Sequence, residues 1–252
     1  MEKSMNIDEK ILKKLKSAYS VGVLTGAGIS AASGVPTFRG ENGIWKKLKP
    51  EELANFDAFM KNPELVWEWY TWRRQLISEV KPNLGHYALL DLEVRFPEFL
   101  LITQNVDNLH TLAGSRKVVE LHGNIMKNKC AKCGIAYDKD WNPDEGIPKC
   151  TLCGGIIRPD IVWFGEMLPE EAIIKAQEFA VESEVFLSIG TSAVVEPAAT
   201  LPLIAKGNGA YVIEINTDET PLTPLVDAHL SGTADKILPE LVIQLDNYSI
   251  KS

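Results

Sequence analysis

The stretch from residue 21 to residue 40 constrains the fold more than any other part of the chain. It opens with an apolar, β-branched run at 21–25 that predicts a buried strand, followed by GAGISA at 26–31, which fits G-x-G-x-x-A. In that pattern Gly26 permits a tight turn, Gly28 lets a phosphate approach the backbone, and the small Ala31 lets the next helix lie close to the strand. Free N–H groups at the helix start would attract a pyrophosphate. The stretch predicts a dinucleotide site, although an ordinary strand-to-helix turn has the same pattern.

The residues after this motif do not resemble those of a dehydrogenase. An acidic residue about 20 positions on, at the end of a second strand, would bind an adenosine ribose. The chain instead continues with GVPTFRG at 34–40, which is rich in turn-forming residues. We therefore expect a mobile loop carrying Phe38 and Arg39 beside the dinucleotide.

Composition limits the other classes of function. The chain has 252 residues, a formal net charge of −8 and 24% charged residues, so broad binding to nucleic acid or to an acidic membrane, which needs a basic face, is not expected. Neither a signal peptide nor an apolar run of 18 residues occurs. We predict a cytoplasmic protein with no membrane partner and no direct nucleic-acid binding, whose four cysteines bind metal rather than form disulfides.

The cysteines follow the spacing C-x₂-C-x₁₆-C-x₂-C. Cys130, Cys133, Cys150 and Cys153 would supply four thiolates to one tetrahedral Zn²⁺ with no open position, so its role is structural. A redox pair would need only one C-x-x-C, which makes that alternative weak. Zinc ribbons elsewhere bind nucleic acid, but here three lysines are offset by four acidic residues, at positions 138, 140, 144 and 145.

Several segments show helical signals. Ile7, Ile11, Leu12 and Leu15 recur at helical spacing and predict a first helix packed beside strand 21–25. Asn62 and Pro63 are typical of an N-cap and a first helical position, and Asn83 is expected to cap a helix that runs to about residue 96. Helices are also predicted at 197–206 and 235–245.

Polar residues follow the other predicted strands. Gln104, Asn105 and Asp107 come after an apolar run at 99–103, where ligands bind in open α/β sheets, although Asn105 and Asp107 could merely cap the next helix. His122 follows the run at 118–121; a lone histidine there is usually a packed one, but it can also act as a general base. Strands at 184–189 and 210–215 are followed by Gly190, Thr191 and Ser192, and by Asn216. The alternation of strand and helix predicts a doubly wound parallel sheet.

Four motifs follow one another along the chain: GAGIS with GVPTFRG, TQNVDNLH at 103–110, VELHGN at 119–124 and RPDIVWFGE at 158–166. The paired cysteines lie between VELHGN and RPDIVWFGE. In these motifs the chain resembles the sirtuins, NAD-dependent protein deacylases, over roughly residues 18–245. The resemblance implies an α/β fold: a Rossmann-like doubly wound sheet from 1–33, 85–123 and 159–252, and a smaller domain that combines the loop and helices of 34–84 with a zinc module at 124–158.

The resemblance also implies roles for individual residues. NAD would be consumed, with His122 as base on a ribose hydroxyl and Asn105 as a second catalytic residue. Gln104 and Asn105 would face the nicotinamide ribose, and Asp107 would hold the carboxamide. The remaining NAD contacts implied are Gly26, Ala27, Gly28, Ser30, Thr37, Phe38, Arg39, Gly190, Thr191, Ser192, Asn216 and Ala234. An acyl-lysine peptide would lie between the run 158–166 and the segment 193–196, against Val162, Phe164, Gly165 and Val194. The alternative for the run 158–166 is interdomain packing.

The acyl group itself is suggested by a helical pair. Tyr70 and Arg73 are three residues apart, so they share a helix face. Their Tyr-x-x-Arg pattern, with Ala54, resembles the sirtuin subgroup that accepts acidic acyl-lysines such as succinyl-lysine; without it, Arg73 would be interpreted as a solvated residue. Thr37 stands where many members have Asp, which indicates a subgroup. The expected products are free lysine, nicotinamide and O-acyl-ADP-ribose. Mono-ADP-ribosyl transfer is the competing reaction, and an inactive NAD sensor is the non-enzymatic alternative.

Overall fold

Residues 6–37 and 53–249 are described by the computed structural model of the chain, and nine strands lie within them. In chain order the strands are β1 Ser20–Thr25, β2 Glu98–Thr103, β3 Val118–Glu120, β4 Gly123–Cys130, β5 Ala136–Tyr137, β6 Ile157–Ile161, β7 Val185–Ile189, β8 Tyr211–Asn216 and β9 Ala228–Ser231. The helices are α1 Glu9–Ser17, α2 Phe56–Lys61, α3 Pro63–Ser78, α4 Leu84–Arg95, α5 Leu109–Ala113, α6 Glu170–Glu182, α7 Leu201–Gly207 and α8 Ala234–Asn247.

The larger sheet has six strands in the order β3-β2-β1-β7-β8-β9. Every pairing between neighbours is parallel, and Val21 of β1 lies between Phe99 of β2 and Val185 of β7. Successive strands therefore spread outward in both directions from β1. The carboxyl ends of all six strands meet at one edge, and the direction of winding changes between β1 and β7, the point at which open α/β sheets bind ligands.

Helices cover both faces of this sheet. On one face α1, α4 and α8 pack on β1, β2, β7 and β8, and the apolar stripe of α1 is buried there. On the other face α6 and α7 bury a second core. This arrangement confirms the predicted doubly wound Rossmann-like fold. Across the described residues, no helix combines the length and the apolar composition that crossing a membrane requires.

The smaller domain combines a sheet with two helices. Its antiparallel strands lie in the order β5-β4-β6, and α2 and α3 pack beside them. Trp67 of α3 donates its indole N–H to the carbonyl of Ile157 at 3.1 Å, and Arg74 donates its Nε–H to that of Ile125 at 2.6 Å. Cys130 and Cys150 belong to the same buried cluster. The helical and cysteine-rich parts of the small domain therefore share one core.

The capping predictions are confirmed. The Asn62 side chain accepts from the Leu65 N–H at 3.2 Å with Pro63 as first helical residue, and the Asn83 side chain accepts from the Gly85 N–H at 2.9 Å. Two other helices differ from the expectation. The segment after the glycine motif is a 3₁₀-helix, Ala27–Ser33, and the helix predicted at 197–206 is divided into a 3₁₀ turn, Ala198–Thr200, and α7. Short 3₁₀ segments of this kind are frequent at helix termini and in connections between elements.

Candidate active site

A cavity of about 640 Å³ lies between the carboxyl edge of the larger sheet and the smaller domain. The structure brings most of the predicted site residues to its wall. Those that line it are Gly26, Ala27, Gly28, Thr37, Tyr70, Arg73, Gln104, Asn105, His122, Val162, Phe164, Gly165, Gly190, Thr191, Ser192 and Asn216. The cavity thus lies at the switch point between β1 and β7, where the fold provides a dinucleotide site.

Other predicted residues lie elsewhere. Ser30 and Asp107 are buried behind the cavity wall, and Ala234 is buried at the start of α8 against Gly85. Val194 is exposed and is not among the residues found to line the cavity. The predictions for Phe38 and Arg39 lie outside the described residues. Ala234 is likewise not among the residues found to line the cavity.

The glycine motif closes the gap between β1 and β7. The N–H of Gly26 donates to Ile189 O at 3.0 Å, and the N–H of Gly28 donates to Gly190 O at 2.8 Å. A Cβ on Gly28 would lie 2.7 Å from Gly190 Cα, and Gly190 itself has φ of +58°. Glycine is therefore required so that two backbone turns can meet, and the Gly28 N–H is engaged inside the protein rather than offered to a phosphate.

The role expected for Ala31 is wrong. Ala31 is exposed on the 3₁₀-helix, whereas Ile29 and Ser30 are the residues buried against the rest of the domain. The tight 3₁₀ turn presents a different side to the sheet than an α-helix of the same sequence would, because it has three residues per turn. Close packing here depends on Ile29 and on the glycines, not on the small residue at the end of the motif.

Asn105 connects the glycine motif to the end of β2. Its side-chain N–H donates to Gly26 O at 3.0 Å and to Ser30 Oγ at 3.2 Å, while Ser30 Oγ donates to Asp107 Oδ2 at 2.7 Å. Burial raises the pKa of the Asp107 carboxyl; the Ser30 hydroxyl, the Leu109 N–H and the charge of Arg73 act in the opposite direction. These hydrogen bonds hold Asn105 in one orientation at the cavity wall.

His122 lies just after β3, and one of its ring nitrogens is engaged in a hydrogen bond to the backbone. Its Nδ1 is 3.0 Å from the backbone oxygen of Gln104. A carbonyl oxygen can only accept, so Nδ1 carries the proton and Nε2 keeps its lone pair. Burial lowers the pKa of His122 from its usual value, and the Gln104 carbonyl acts in the opposite direction. The ring is therefore neutral at neutral pH and can accept a proton at Nε2.

The other three histidines lie away from the cavity wall. His86 and His110 are buried with ring centroids 4.9 Å apart, and His110 Nε2 lies 3.0 Å from Thr25 Oγ1. Burial lowers the pKa of His86 to about 4 and that of His110 well below its usual value. His229 pairs with the buried carboxylate of Glu214 at 3.1 Å. Of the four histidines, all within the described ranges, His122 alone lines the cavity.

Tyr70, Arg73 and Ala54 line the part of the cavity formed by the smaller domain. Tyr70 is 1% exposed and Arg73 is 6% exposed, so Arg73 is not the solvated helix residue that the bare sequence suggested as an alternative. The Arg73 guanidinium lies 5.0 Å from the centre of the Trp69 ring. Burial lowers the pKa of Arg73 from its usual value, and Tyr70 and Asp107 act in the opposite direction. A buried cation therefore lies at the wall of a largely apolar pocket.

The four cysteines lie close enough together to hold one metal ion. Their sulfur atoms are all within 4.8 Å of one another, with Cys130 and Cys153 3.5 Å apart and Cys133 and Cys150 3.8 Å apart. A tetrahedron with Zn–S bonds of about 2.3 Å has edges of about 3.8 Å. The N–H groups of Lys132 and Cys133 donate to the Cys130 sulfur at 3.3 and 3.5 Å. Four thiolates in this geometry fit a closed Zn²⁺ site.

Part of the cavity wall was not predicted from the sequence. The segment 217–221 after β8 lines it, and this segment is held by Glu214, whose buried carboxylate accepts from the hydroxyls of Thr220 and Thr223. The polar run TDET directly after a buried strand was the available signal, since ligands bind beyond strand ends. The cavity wall also contains Trp69, Val106 and Leu168, which were not predicted. Its remaining residues lie in the two segments between which a peptide was predicted to bind: Ile161, Trp163, Glu166, Val195 and Glu196.

Comparison with known proteins identifies the family of the chain. The model of the Sir2 family matches residues 26–197, a range that contains the glycine motif, His122 and all four cysteines. The chain belongs to the Sir2 family. A relative from Aquifex aeolicus named NAD-dependent protein deacylase is 56% identical over 216 residues, which cover 85% of this chain and 90% of that protein. NAD-dependent protein deacylase 1 from Archaeoglobus fulgidus is 48% identical over 237 residues, which cover 94% and 97%.

Solved Sir2 structures share the fold. A mutant Sir2 homologue in complex with ADP ribose superimposes with a TM-score of 0.91 at 47% identity, covering 96% of this chain and 97% of the other. A Sir2 homologue in complex with NAD gives a TM-score of 0.89 at 45% identity, covering 98% and 97%. A Sir2 complex with a p53 peptide and NAD⁺ gives 0.85 at 33% identity, covering 97% and 100%. The fold of the Sir2 enzymes is thus present over nearly the whole chain.

Proposed function

We propose that this Sir2-family chain is an NAD-dependent protein lysine deacylase that removes both acetyl and succinyl groups. Relatives at about half identity over most of their length carry the name NAD-dependent protein deacylase. The observation that carries the reaction is the geometry of His122, a neutral histidine at the cavity wall whose Nδ1 proton is held by Gln104 O. None of the deacylase names supports the ADP-ribosyltransferase alternative, and we do not propose it.

We assign NAD to the part of the cavity formed by the strand ends. The close approach of Gly26 and Gly28 to Gly190 leaves a wall of backbone and small side chains, which suits a dinucleotide. Homologous structures named as ADP-ribose and NAD complexes support this assignment. In this proposal the NAD contacts are Gly26, Ala27, Gly28, Thr37, Gln104, Asn105, Gly190, Thr191, Ser192 and Asn216, with Ser30 and Asp107 completing the nicotinamide end.

The chain's own residues then divide the chemistry. Bound NAD supplies the ADP-ribose group that accepts the acyl chain as nicotinamide leaves. His122 takes a proton from a ribose hydroxyl at Nε2, and the Gln104 carbonyl keeps the other ring nitrogen protonated. Asn105, held by Gly26 and Ser30, orients the ribose. The apolar wall around Phe164 and Trp163 excludes water, so the acyl group passes to the ribose oxygen rather than to solvent.

We assign the peptide to the segment after β6. The N–H of Val162 donates to His122 O and that of Phe164 donates to Ala54 O, so these two groups are used within the protein. The side chains of Phe164 and Val194 are each 47% exposed, and they offer the apolar contact for a substrate backbone that lies at Gly165. A homologous structure named as a complex with a p53 peptide supports a peptide substrate.

The acidic acyl group is assigned to Arg73 and Tyr70. A guanidinium can bind a carboxylate with two hydrogen bonds, and a phenol can donate a third. Arg73 is buried at the cavity wall, where a succinyl carboxylate would be desolvated along with it. A neutral acetyl group carries no charge that could pair with such a cation. The proposal therefore predicts desuccinylation beside deacetylation.

Arg73→Met tests the acyl assignment. Leaving a buried carboxylate unpaired costs roughly 2–5 kcal/mol, so kcat/KM for a succinyl-lysine peptide should fall about 30- to several-thousand-fold. The same peptide with acetyl-lysine should change far less. Arg73→Lys is the matched control, because lysine keeps the positive charge but cannot bind a carboxylate in a bidentate way. Its kcat/KM for the succinyl-lysine peptide should fall by an intermediate factor. An equal loss on both peptides, or a wild type that never releases succinyl groups, would leave the chain a deacetylase only.

A further inference from the structure

Trp163 and Tyr70 form a hydrogen bond at the wall of the acyl pocket. The Trp163 indole nitrogen lies 2.7 Å from the Tyr70 hydroxyl oxygen, and the two side chains belong to different parts of the chain, the segment after β6 and helix α3. Trp163 is 2% exposed and Tyr70 is 1% exposed, yet both contribute to the cavity wall. A buried polar contact of this kind therefore faces the place where the acyl chain would end.

The direction of this hydrogen bond is fixed by chemistry. An indole N–H can only donate, so the Tyr70 oxygen must accept from Trp163. The hydroxyl proton of Tyr70 cannot point back at the indole and is left for a different acceptor. Tyr70 is buried and belongs to the cavity wall, so a group bound in the cavity can accept this proton. Trp163 thereby leaves the Tyr70 hydroxyl available as a donor toward the pocket.

Trp163 is itself held firmly from behind. The Arg158 guanidinium lies 3.3 Å from the centre of the indole ring and donates to Ile161 O at 2.7 Å. Glu166 forms an ion pair with Arg158 and accepts from the Trp163 backbone N–H at 2.8 Å. The Phe59 ring packs against the indole with centroids 5.2 Å apart. The indole ring cannot rotate without breaking these contacts, so its N–H stays directed at the Tyr70 hydroxyl.

We infer that Trp163 is a specificity-determining positioning residue, which orients the Tyr70 hydroxyl as a hydrogen-bond donor to the carboxylate of an acidic acyl-lysine. Trp163 need not touch the carboxylate, because it acts through Tyr70. The inference rests on the proposed acidic-acyl function and adds to it. A carboxylate only accepts hydrogen bonds, so a pocket whose phenol is locked as a donor favours it, whereas an acetyl group leaves this hydroxyl without a charged acceptor.

A double-mutant cycle tests the inference. Trp163→Phe removes the N–H and keeps an aromatic ring, Tyr70→Phe removes the hydroxyl, and the third variant combines both. Each is assayed with succinyl- and acetyl-lysine peptides of one sequence. The ratio of succinyl to acetyl kcat/KM should fall roughly tenfold or more in Tyr70→Phe and by a similar order in Trp163→Phe. In the Tyr70→Phe background, Trp163→Phe should lower that ratio no further.

An isosteric replacement covers the case in which Trp163→Phe disturbs the fold. Benzothienyl-alanine incorporated at position 163 keeps the bicyclic shape and replaces only the N–H by sulfur, so the same fall in the ratio is expected with an unchanged melting temperature. Equal losses on both peptides would make Trp163 a packing residue. An additional fall in the double variant would mean that Trp163 does not act through Tyr70. Either outcome overturns the inference while the wild type and Arg73→Met still report on the proposed function. A wild type without desuccinylase activity overturns both.

Discussion

Single residues at this site work in states that their neighbours impose. The Gln104 carbonyl selects one tautomer of His122, the Asp107 carboxylate makes the Ser30 hydroxyl a donor, and the Trp163 indole makes the Tyr70 oxygen an acceptor in their contact. In each case the partner is a group with only one possible hydrogen-bonding role in the contact, so it decides the role of the other. The chemistry of the cavity therefore depends on buried partners as much as on the lining residues.

Replacing His122 by Ala should abolish deacylation while NAD and peptide still bind. Loss of a general base costs at least about 10²–10⁴-fold, and here the lost group is the acceptor for the ribose proton. Steady-state kcat and calorimetric titration with NAD and with an acyl peptide separate the two effects. Activity within a few-fold of wild type would return His122 to the class of packed histidines.

The pH profile of the wild type is the control for that assignment. His122 must be neutral to accept a proton, and burial lowers its pKa. The acid limb of kcat/KM should therefore lie below the ordinary histidine value of about 6.5, with a plateau at neutral pH. Activity that rises only above pH 7 would contradict a histidine base with a lowered pKa.

At the scale of elements, the cysteine-rich strands are tied to the cavity wall by a shared core. Cys130 and Cys150 lie in one buried cluster with Trp163 and Tyr70, and the sheet β5-β4-β6 is too small to hold a core without a metal. Cys130, Cys150 and part of the cavity wall therefore share one core. A change at the cysteines should reach the cavity, although none of the four, all of them within the described residues, lines it.

Cys150→Ser should release the zinc and weaken both stability and activity. One lost thiolate opens the tetrahedral site, and a loss of about 2 kcal/mol or more would lower the melting temperature by about 4–8 °C. Metal analysis, thermal unfolding and deacetylation are measured on the same preparation. Leu152→Ala, a change at a side chain 72% exposed in the same turn, is the matched control and should behave as wild type. A Cys150→Ser protein that stays stable and fully active would refute a structural zinc.

At the scale of the whole molecule, two buried neutral histidines link acidity to the stability of the fold. His86 lies in the first turn of α4, on one face of the larger sheet. Its Nδ1 accepts from the Asn83 N–H at 3.2 Å, and its Nε2 lies 3.4 Å from Ser30 Oγ. The ring of His110 packs against it, and Asp107 lies beyond Ser30. Burial lowers the pKa of His86 to about 4. Folding therefore favours the neutral ring.

Acid should destabilise the protein through His86 within a defined window. The unfolded chain binds the proton near pH 6.5, so the stability contributed by His86 is complete above that pH and is lost as pH falls toward 4, by roughly 3 kcal/mol in total. His86→Gln keeps an acceptor for the Asn83 N–H and cannot titrate. Urea unfolding at pH 7.5 and pH 5 should show a smaller loss in this variant than in wild type.

The comparison of the two proteins reports on His86 together with its electrostatic effect on His110. Asp107 has a raised pKa, acts in the opposite direction and is present in both proteins. Burial lowers the pKa of His110 in both proteins, and the charge of His86 lowers it further in the wild type alone, which adds to the expected difference. Equal losses between pH 7.5 and pH 5 would mean that His86 does not control the acid sensitivity of the fold.

Local patterns were enough to predict five strands of the larger sheet, the two helix caps and the grouping of the four cysteines. These signals depend only on residues a few positions apart: the apolar runs of strand length, Asn62 with Pro63, and Asn83. The structure has the strands and helix starts that they predict. Each C-x-x-C spacing holds its own two cysteines close along the chain, and the four sulfur atoms lie within 4.8 Å of one another. The same local logic predicted which polar residues follow the strands, since parallel strands share one edge.

Contacts between distant residues decided the rest. Gly28 after β1 packs against Gly190 after β7, and Arg73 is buried instead of solvated. Glu214 accepts a hydrogen bond from Thr220 and so holds the segment 217–221 at the cavity wall. The partner of Tyr70 is 93 residues away along the chain. Periodicity and spacing report only on which face a residue occupies, whereas hydrogen-bond direction, burial and pKa depend on what the folded chain brings against that face.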